Sequence, residues 1–172
     1  MILSILKPLR SINVLIVQLT NLVAMAIIAI MVSALSLSAL TRYFSGNGYD
    51  WFIELPPFLV SWLVFPLLGP LLKNAQHIKV DFLPAIISTH NALLLNLFIN
   101  FIALLASIIF FKAGLDATLL YYKLGQIMEL EIEIPVWWMY LAFPTGFVIL
   151  GMFSLELILN DLKNITAKEK IT

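Results

Sequence analysis

The stretch Arg42–Asp81, RYFSGNGYDWFIELPPFLVSWLVFPLLGPLLKNAQHIKVD, places one long apolar run between two polar turns. From Leu55 to Leu72 the run has no ionisable side chain, although it holds several prolines. Its length approaches the ~20 residues that an α-helix needs to cross a hydrocarbon core of ~30 Å. We therefore predict a membrane-spanning helix here. A re-entrant loop is the alternative for so short and proline-rich a run.

The composition of the whole chain agrees with this prediction. Of its 172 residues, 62% are hydrophobic and 12% are charged, whereas soluble proteins carry about 45–50% apolar and about 25% charged residues. This balance predicts a multi-span membrane protein. The chain has no cysteine, which excludes a thiolate nucleophile and a Cys-based metal site, and without a basic block it is a poor partner for nucleic acid.

Three further runs lack Asp, Glu, Lys and Arg, so that the set is 11–41, 55–72, 82–111 and 134–155. None alternates with period two, so helices are the spanning elements. We predict a single all-α membrane domain over residues 1–172, with transmembrane helices at about 12–40, 51–72, 83–111 and 135–158. The segment after the third run either prolongs that helix or forms an interfacial helix. Glu129–Ile134 alternates strictly, which favours a short extended piece.

Basic residues are distributed unevenly among the polar segments. The two tails and the second loop hold seven of them, Lys7, Arg10, Lys73, Lys79, Lys163, Lys168 and Lys170. The first and third loops hold three, Arg42, Lys112 and Lys123. By the positive-inside rule, both termini and the second loop are predicted to lie in the cytoplasm.

Two pairs of ionisable residues in the opening stretch are candidates for chemistry. Glu54 begins the second span near Trp51, and a structural pair with Arg42 at the outer interface is favoured over an ion-coupling site because Glu54 is shallow. His77 and Asp81 lie four apart in the second loop. They suit a proton relay or half of a metal site, but a loop hydrogen bond or helix cap is the favoured interpretation.

Polar and small residues within the other spans predict helix packing. Asn96, Asn100 and Ser107 share one face of the third helix, where a hydrogen-bonded packing seam is favoured over a solute path. In the first helix a stripe of small residues allows close approach, either within the subunit or to a partner; its members are Ala26, Ala29, Ser33 and Ser36. Glu156, at the inner end of the fourth helix, is expected to reach water without a special role.

Aromatic residues mark the outer start of the fourth span. Pro135 is expected to set the first turn of the helix, and Trp137 begins an aromatic anchor at the headgroup level. Nucleotide-binding loops, nucleophile elbows and HExxH motifs are absent from the sequence. The chain also lacks the internal repeat of a secondary transporter. We therefore expect no enzyme activity, no catalytic, cofactor or metal site, and transport only in company with a larger protein.

The order of residues around the second and fourth spans is typical of one family. The residues are Arg42-Tyr43, Trp51, Glu54-Leu55, Phe65, Gly69, His77, Val80-Asp81, Gly125, Ile134-Pro135-Val136-Trp137, Tyr140, Pro144 and Gly146. With them, the chain resembles the small membrane subunit (DctQ type) of tripartite ATP-independent periplasmic (TRAP) transporters.

The resemblance implies a bacterial inner-membrane scaffold subunit. It would pack on a large permease subunit that performs sodium-driven uptake of an organic anion, such as a sialic acid or a C4-dicarboxylate, delivered by a periplasmic binding protein. Two alternatives stay open. One is a self-sufficient homo-oligomeric channel or exporter built around the face of Asn96 and Asn100. The other is a membrane redox subunit that uses His77 and His90, although both lie too near the inner edge for a haem held between spans.

Overall fold

The computed structural model describes residues 2–48, 51–74, 89–128 and 133–169. In chain order the elements are α1 (Ile2–Ser45), α2 (Trp51–Lys73), α3 (Thr89–Leu124), β1 (Ile127–Met128), β2 (Ile134–Pro135), α4 (Val136–Tyr140) and α5 (Ala142–Glu169). Among these described residues, four helical spans are long and apolar enough to cross a membrane, the last of them running from α4 into α5. The predicted all-α architecture with four transmembrane helices is thereby confirmed.

Helix α2 forms over its whole predicted length in spite of four prolines. The ring of a proline inside a helix removes one backbone hydrogen bond, and in lipid the freed carbonyl has to find another partner. Pro66 and Pro70 are buried against the rest of the bundle, which shields this irregular backbone from lipid. The prediction of a spanning helix is therefore right, and the re-entrant loop does not form.

Helices α1 and α3 are longer than the sequence predicted. α1 spans 44 residues and α3 spans 36, which correspond to about 66 Å and about 54 Å at ~1.5 Å per residue. The segment after Phe111 continues α3 to Leu124, so Lys112 lies within the helix and not in a loop. Beyond α3, β1 and β2 form a short antiparallel pair, in which Ile127 faces Pro135.

The bundle is organised around α5, which packs against α2 on one side and α3 on the other. α1 packs on α2 and also reaches α5, so α1 and α3 lie at the two edges. The α2–α5 contact is very close because glycines meet bulky neighbours across it. A β-carbon added to Gly146 would lie 2.5 Å from the carbonyl oxygen of Phe65, and one on Gly69 would lie 2.6 Å from the Phe153 ring. Any larger side chain there would force the two helices apart.

Aromatic rings fill the layer above this crossing. Phe65 lies 4.0 Å from Phe143, Phe110 stacks on Phe147 at 5.2 Å, and Tyr121 stacks on Tyr140 at 4.2 Å, all between ring centroids. The indole nitrogen of Trp62 donates a hydrogen bond of 3.0 Å to the carbonyl oxygen of Trp138. Tyr121, Trp137 and Trp138 lie near the start of the fourth span, as expected of an interfacial belt, whereas Trp62 lies midway along α2.

A polar contact attaches α3 to α5 at the opposite end. The amide nitrogen of Asn100 donates to Asp161 Oδ2 over 2.7 Å, and Asn100 is buried. Ser107 is also buried, facing Gly151, whereas Asn96 is exposed. The predicted polar face is therefore divided: two of its members lie between helices and the third faces outward.

The small residues of α1 are not buried within the subunit. Ala26, Ala29, Ser33 and Ser36 are all exposed. The side chains of α1 that turn toward the bundle lie on another face, which includes Asn13, Thr20, Ala24, Ile27, Ala34 and Ser38. Ala29 and Ser33 line an open groove against α2, and a contact of the stripe with a partner stays a prediction.

Replacement of Asn100 by Leu should lower the stability of the subunit by about 0.6–2 kcal/mol, because an interhelical hydrogen bond in a membrane contributes about that much. The matched control is Asn96→Leu, which removes an exposed amide from the same helix. Thermal unfolding of the purified chain in detergent measures both. Equal midpoints for the two variants would contradict a stabilising role for the contact between Asn100 and Asp161.

Candidate functional site

The salt bridge found in the described part of the chain, with an amide beside it, joins α1, α2 and α5 at one point. Lys73 Nζ lies 3.0 Å from Glu156 Oε1 and 3.2 Å from Glu156 Oε2. Asn13 Nδ2 donates to Glu156 Oε2 over 2.6 Å. We call these three residues the inner cluster, after the side of the membrane that the positive-inside rule predicts for them. Each helix supplies one member, so the cluster fixes the relative height of all three helices.

The expectation that Glu156 reaches water is wrong. Its side chain is 3% exposed, whereas that of Lys73 is 26% exposed. The sequence places Glu156 at the last turn of a predicted span, where an isolated helix would let it bend outward. In the bundle, α1 and α2 close over this position, so the carboxylate is neutralised by Lys73 instead. Lys73 also lies 5.5 Å from the ring centroid of Phe153, which adds an attraction between the cation and the aromatic face.

Asn13 completes the cluster but leaves one atom without a partner. Its residue surface is fully buried, and no described group donates a hydrogen bond to its Oδ1. A buried amide oxygen in this state costs free energy. Because the amide nitrogen is used on Glu156, the orientation of Asn13 is set by the carboxylate.

This arrangement is suited to holding helices together. Lys73 and Asn13 both donate to the carboxylate, and Asn13 Nδ2 also donates to Met152 O over 3.4 Å. A tethered ammonium therefore occupies the position that a mobile cation would need. Within the ranges that the structure describes, no three His, Cys, Asp or Glu side chains come together as metal ligands.

The pair predicted at the outer turn lies at the facing ends of α1 and α2, with Arg42 in the last turn of α1 and Glu54 in the first turn of α2. Arg42 is exposed, and its side chain folds over Gly48. Glu54 is half-buried in the first turn of α2. Glu54 takes part in an interaction of its own, and its pairing with Arg42 stays a prediction. Trp51 packs on Phe52 and lines an open, apolar groove of about 330 Å³ between α1 and α2.

Of the other predicted residues, the structure describes Pro135 and Trp137 but not His77 and Asp81. Pro135 pairs in the short ladder and precedes α4, as the sequence predicted for the start of the fourth span. Trp137 meets Tyr122 edge to face, with ring centroids 5.5 Å apart. His77 and Asp81 lie outside the described residues, as does the side chain of His90.

Sequence reasoning missed Asn13 and the pairing of Lys73 with Glu156. The signal was present: Asn13 is the first of three amides in a charge-free run, and it lies at the end where Lys73 and Glu156 also terminate their runs. An amide and two opposite charges at equal depth in three spans predict a shared contact. What the sequence did not give is which helices are neighbours.

Lys73→Met should destabilise the subunit by about 3–5 kcal/mol, because it leaves a buried carboxylate without its cation. Glu156→Gln should lower the stability of the subunit far less. The freed Lys73 is partly exposed to solvent, and the new glutamine can exchange two hydrogen bonds with Asn13. The double variant Lys73→Met/Glu156→Gln should resemble Glu156→Gln. Thermal unfolding in detergent measures all three, with exposed Lys163→Met as control; equal losses for the two single variants would contradict the asymmetry.

Comparison with known proteins identifies the family. The model of the DctQ component of tripartite ATP-independent periplasmic transporters matches residues 28–164, which is 137 of the 172 residues. Curated proteins and solved structures gave no match. The matched range includes Lys73 and Glu156, and the family consists of transporter components and is not an enzyme family. The chain therefore belongs to the DctQ family, the small membrane components of TRAP transporters.

Proposed function

We propose that this subunit is a static scaffold in the bacterial inner membrane, with both termini in the cytoplasm. It packs on a large permease subunit, and that subunit carries out sodium-driven uptake of an organic anion such as a sialic acid or a C4-dicarboxylate. A periplasmic binding protein delivers the anion. Family membership and the distribution of exposed apolar surface support this proposal.

The height of the exposed apolar surface is the observation that carries the proposal. From Asn13 in the inner cluster to exposed Phe44, α1 rises 31 residues, about 46 Å. In the other direction, Asp161 lies five residues beyond Glu156 along α5, which is about 7 Å. Its partner Asn100 lies at the same level on α3. Exposed Leu94 lies another six residues along α3, about 9 Å further.

The total is roughly 60 Å, which exceeds both the ~30 Å hydrocarbon core and the ~40–45 Å of a whole bilayer. An average helix tilt of about 20° shortens that height by only about 6%. Lipid therefore cannot cover all the exposed apolar side chains of α1 and α3. A second membrane protein that contacts these edges would cover the remainder, as a scaffold subunit requires.

The placement of the polar side chains also favours a scaffold. Glu156 and Asp161 are each occupied by a neighbouring helix. Asn100 and Ser107 lie inside the α3–α5 contact, where a solute path through one subunit would leave them free. The polar side chains of this bundle bond to neighbouring helices. We therefore assign the binding of substrate and sodium to a partner subunit.

Purification from membranes that also contain the large permease subunit and the binding protein tests the proposal. We expect the chain to co-purify with the large subunit in a fixed ratio, and uptake into proteoliposomes to require both membrane subunits. The isolated chain should neither transport nor conduct the anion. The matched control is a sample that contains the large subunit alone, which should be inactive.

Two results would contradict the scaffold proposal. A stable homo-oligomer of this chain that conducts a solute in liposomes would establish the channel alternative, for which exposed Asn96 would be the first residue to test. Haem or a redox-active metal bound stoichiometrically to the purified chain would establish the redox alternative.

A further inference from the structure

The fourth span provides a depth scale for the bundle. Between Val136 and Leu155 it has no charged residue, and Trp137 stands at one end and Glu156 follows at the other. These twenty residues measure about 30 Å, which is the thickness of the hydrocarbon core. The level of any residue on α3 can then be taken from its contact with this span.

Three contacts fix the register of α3 on this scale. Phe110 stacks on Phe147, Gly114 abuts Phe143 and Pro144, and Tyr122 meets Trp137. Phe147 is ten residues from Trp137 and nine from Glu156, so it lies near the middle of the core.

Two ionisable residues of α3 fall within this depth. Lys112 is placed between the levels of Phe147 and Phe143, and Asp116 follows one helical turn later. Both are exposed, whereas Gly114 between them is buried against α5. The two side chains therefore share the outward face of α3 and point away from the bundle.

These two charges have no partner in the described part of the chain. Neither forms a salt bridge there, although they are one turn apart on the same face. Ionisable side chains at this depth almost always face protein or water and pair with other groups, because lipid cannot solvate them. The exposed neighbours on the same face are apolar, notably Leu105, Ile108 and Ile109, so the face as a whole is not the wall of an aqueous path.

We propose that the outward face of α3 around Lys112 and Asp116 is the docking surface for the large permease subunit. The matching surface is a transmembrane segment that is apolar along most of its length and carries an acidic group opposite Lys112 and a basic or amide group opposite Asp116. The pairing neutralises both charges at a depth where lipid would leave them exposed. This inference rests on the proposed function, which supplies the partner.

Site-specific photo-crosslinking in intact membranes tests the location. The photoreactive amino acid p-benzoylphenylalanine is placed at position 112 or 116 of the full chain, expressed with the large subunit and the binding protein. We expect a crosslink to the large subunit from both positions. Crosslinks to a second copy of this chain, or to lipid alone, would overturn the inference.

Charge exchange tests the chemistry. The double variant Lys112→Asp/Asp116→Lys should reduce the amount of co-purified large subunit about tenfold, the effect of losing one favourable charge pair of ordinary strength. Its thermal midpoint as an isolated chain should equal that of the original, since the two residues form no salt bridge within it. Lys123→Met, which removes an exposed charge from the end of the same helix, is the matched control.

The outcomes separate this inference from the proposed function. If the original chain co-purifies with the large subunit while the double variant co-purifies equally well, the scaffold function stands and the α3 docking surface is wrong. If the original chain does not co-purify at all, both fail.

Discussion

The salt bridge between Lys73 and Glu156, with Asn13 beside it, is the contact on which the arrangement of this bundle depends. Three helices meet at one buried carboxylate, so their heights in the membrane are set together. In lipid, apolar side chains give no preference for one helix height over another, because the tails are as apolar as the residues. A buried charge with one cation and one amide within reach supplies that preference. The aromatic and glycine contacts between α2 and α5 then fill the layers above it.

The two edge helices have a different character from this centre. α1 and α3 expose many apolar side chains, and α3 also exposes Lys112 and Asp116. The central contacts of this subunit are made, whereas its edge helices expose apolar and charged side chains. Such a subunit suits the role of one component of a larger complex. The chain also belongs to a family of components of tripartite transporters.

The sequence was sufficient for the number and type of elements, because length and hydropathy determine which segments span a membrane. The sequence was not sufficient to predict which side chains of different helices meet. Glu156 looked like a carboxylate near water since nothing in its own helix shows that α1 and α2 cover it. Lys112 looked like the start of a loop because it ends a charge-free run, yet the helix continues to Leu124. Asn100 and Asn96 are equivalent in sequence, and only the position of α5 separates them.

The central claim is that the buried charges of this subunit hold helices together and take no part in coupling. The sodium dependence of uptake, measured in proteoliposomes with the complete complex carrying Lys73→Met/Glu156→Gln, tests it most directly. The account predicts uptake with the same half-saturating sodium concentration and the same Hill coefficient as the original complex. A shift in either parameter, in a complex that assembles in normal amount, would place Glu156 in the coupling mechanism and contradict the account.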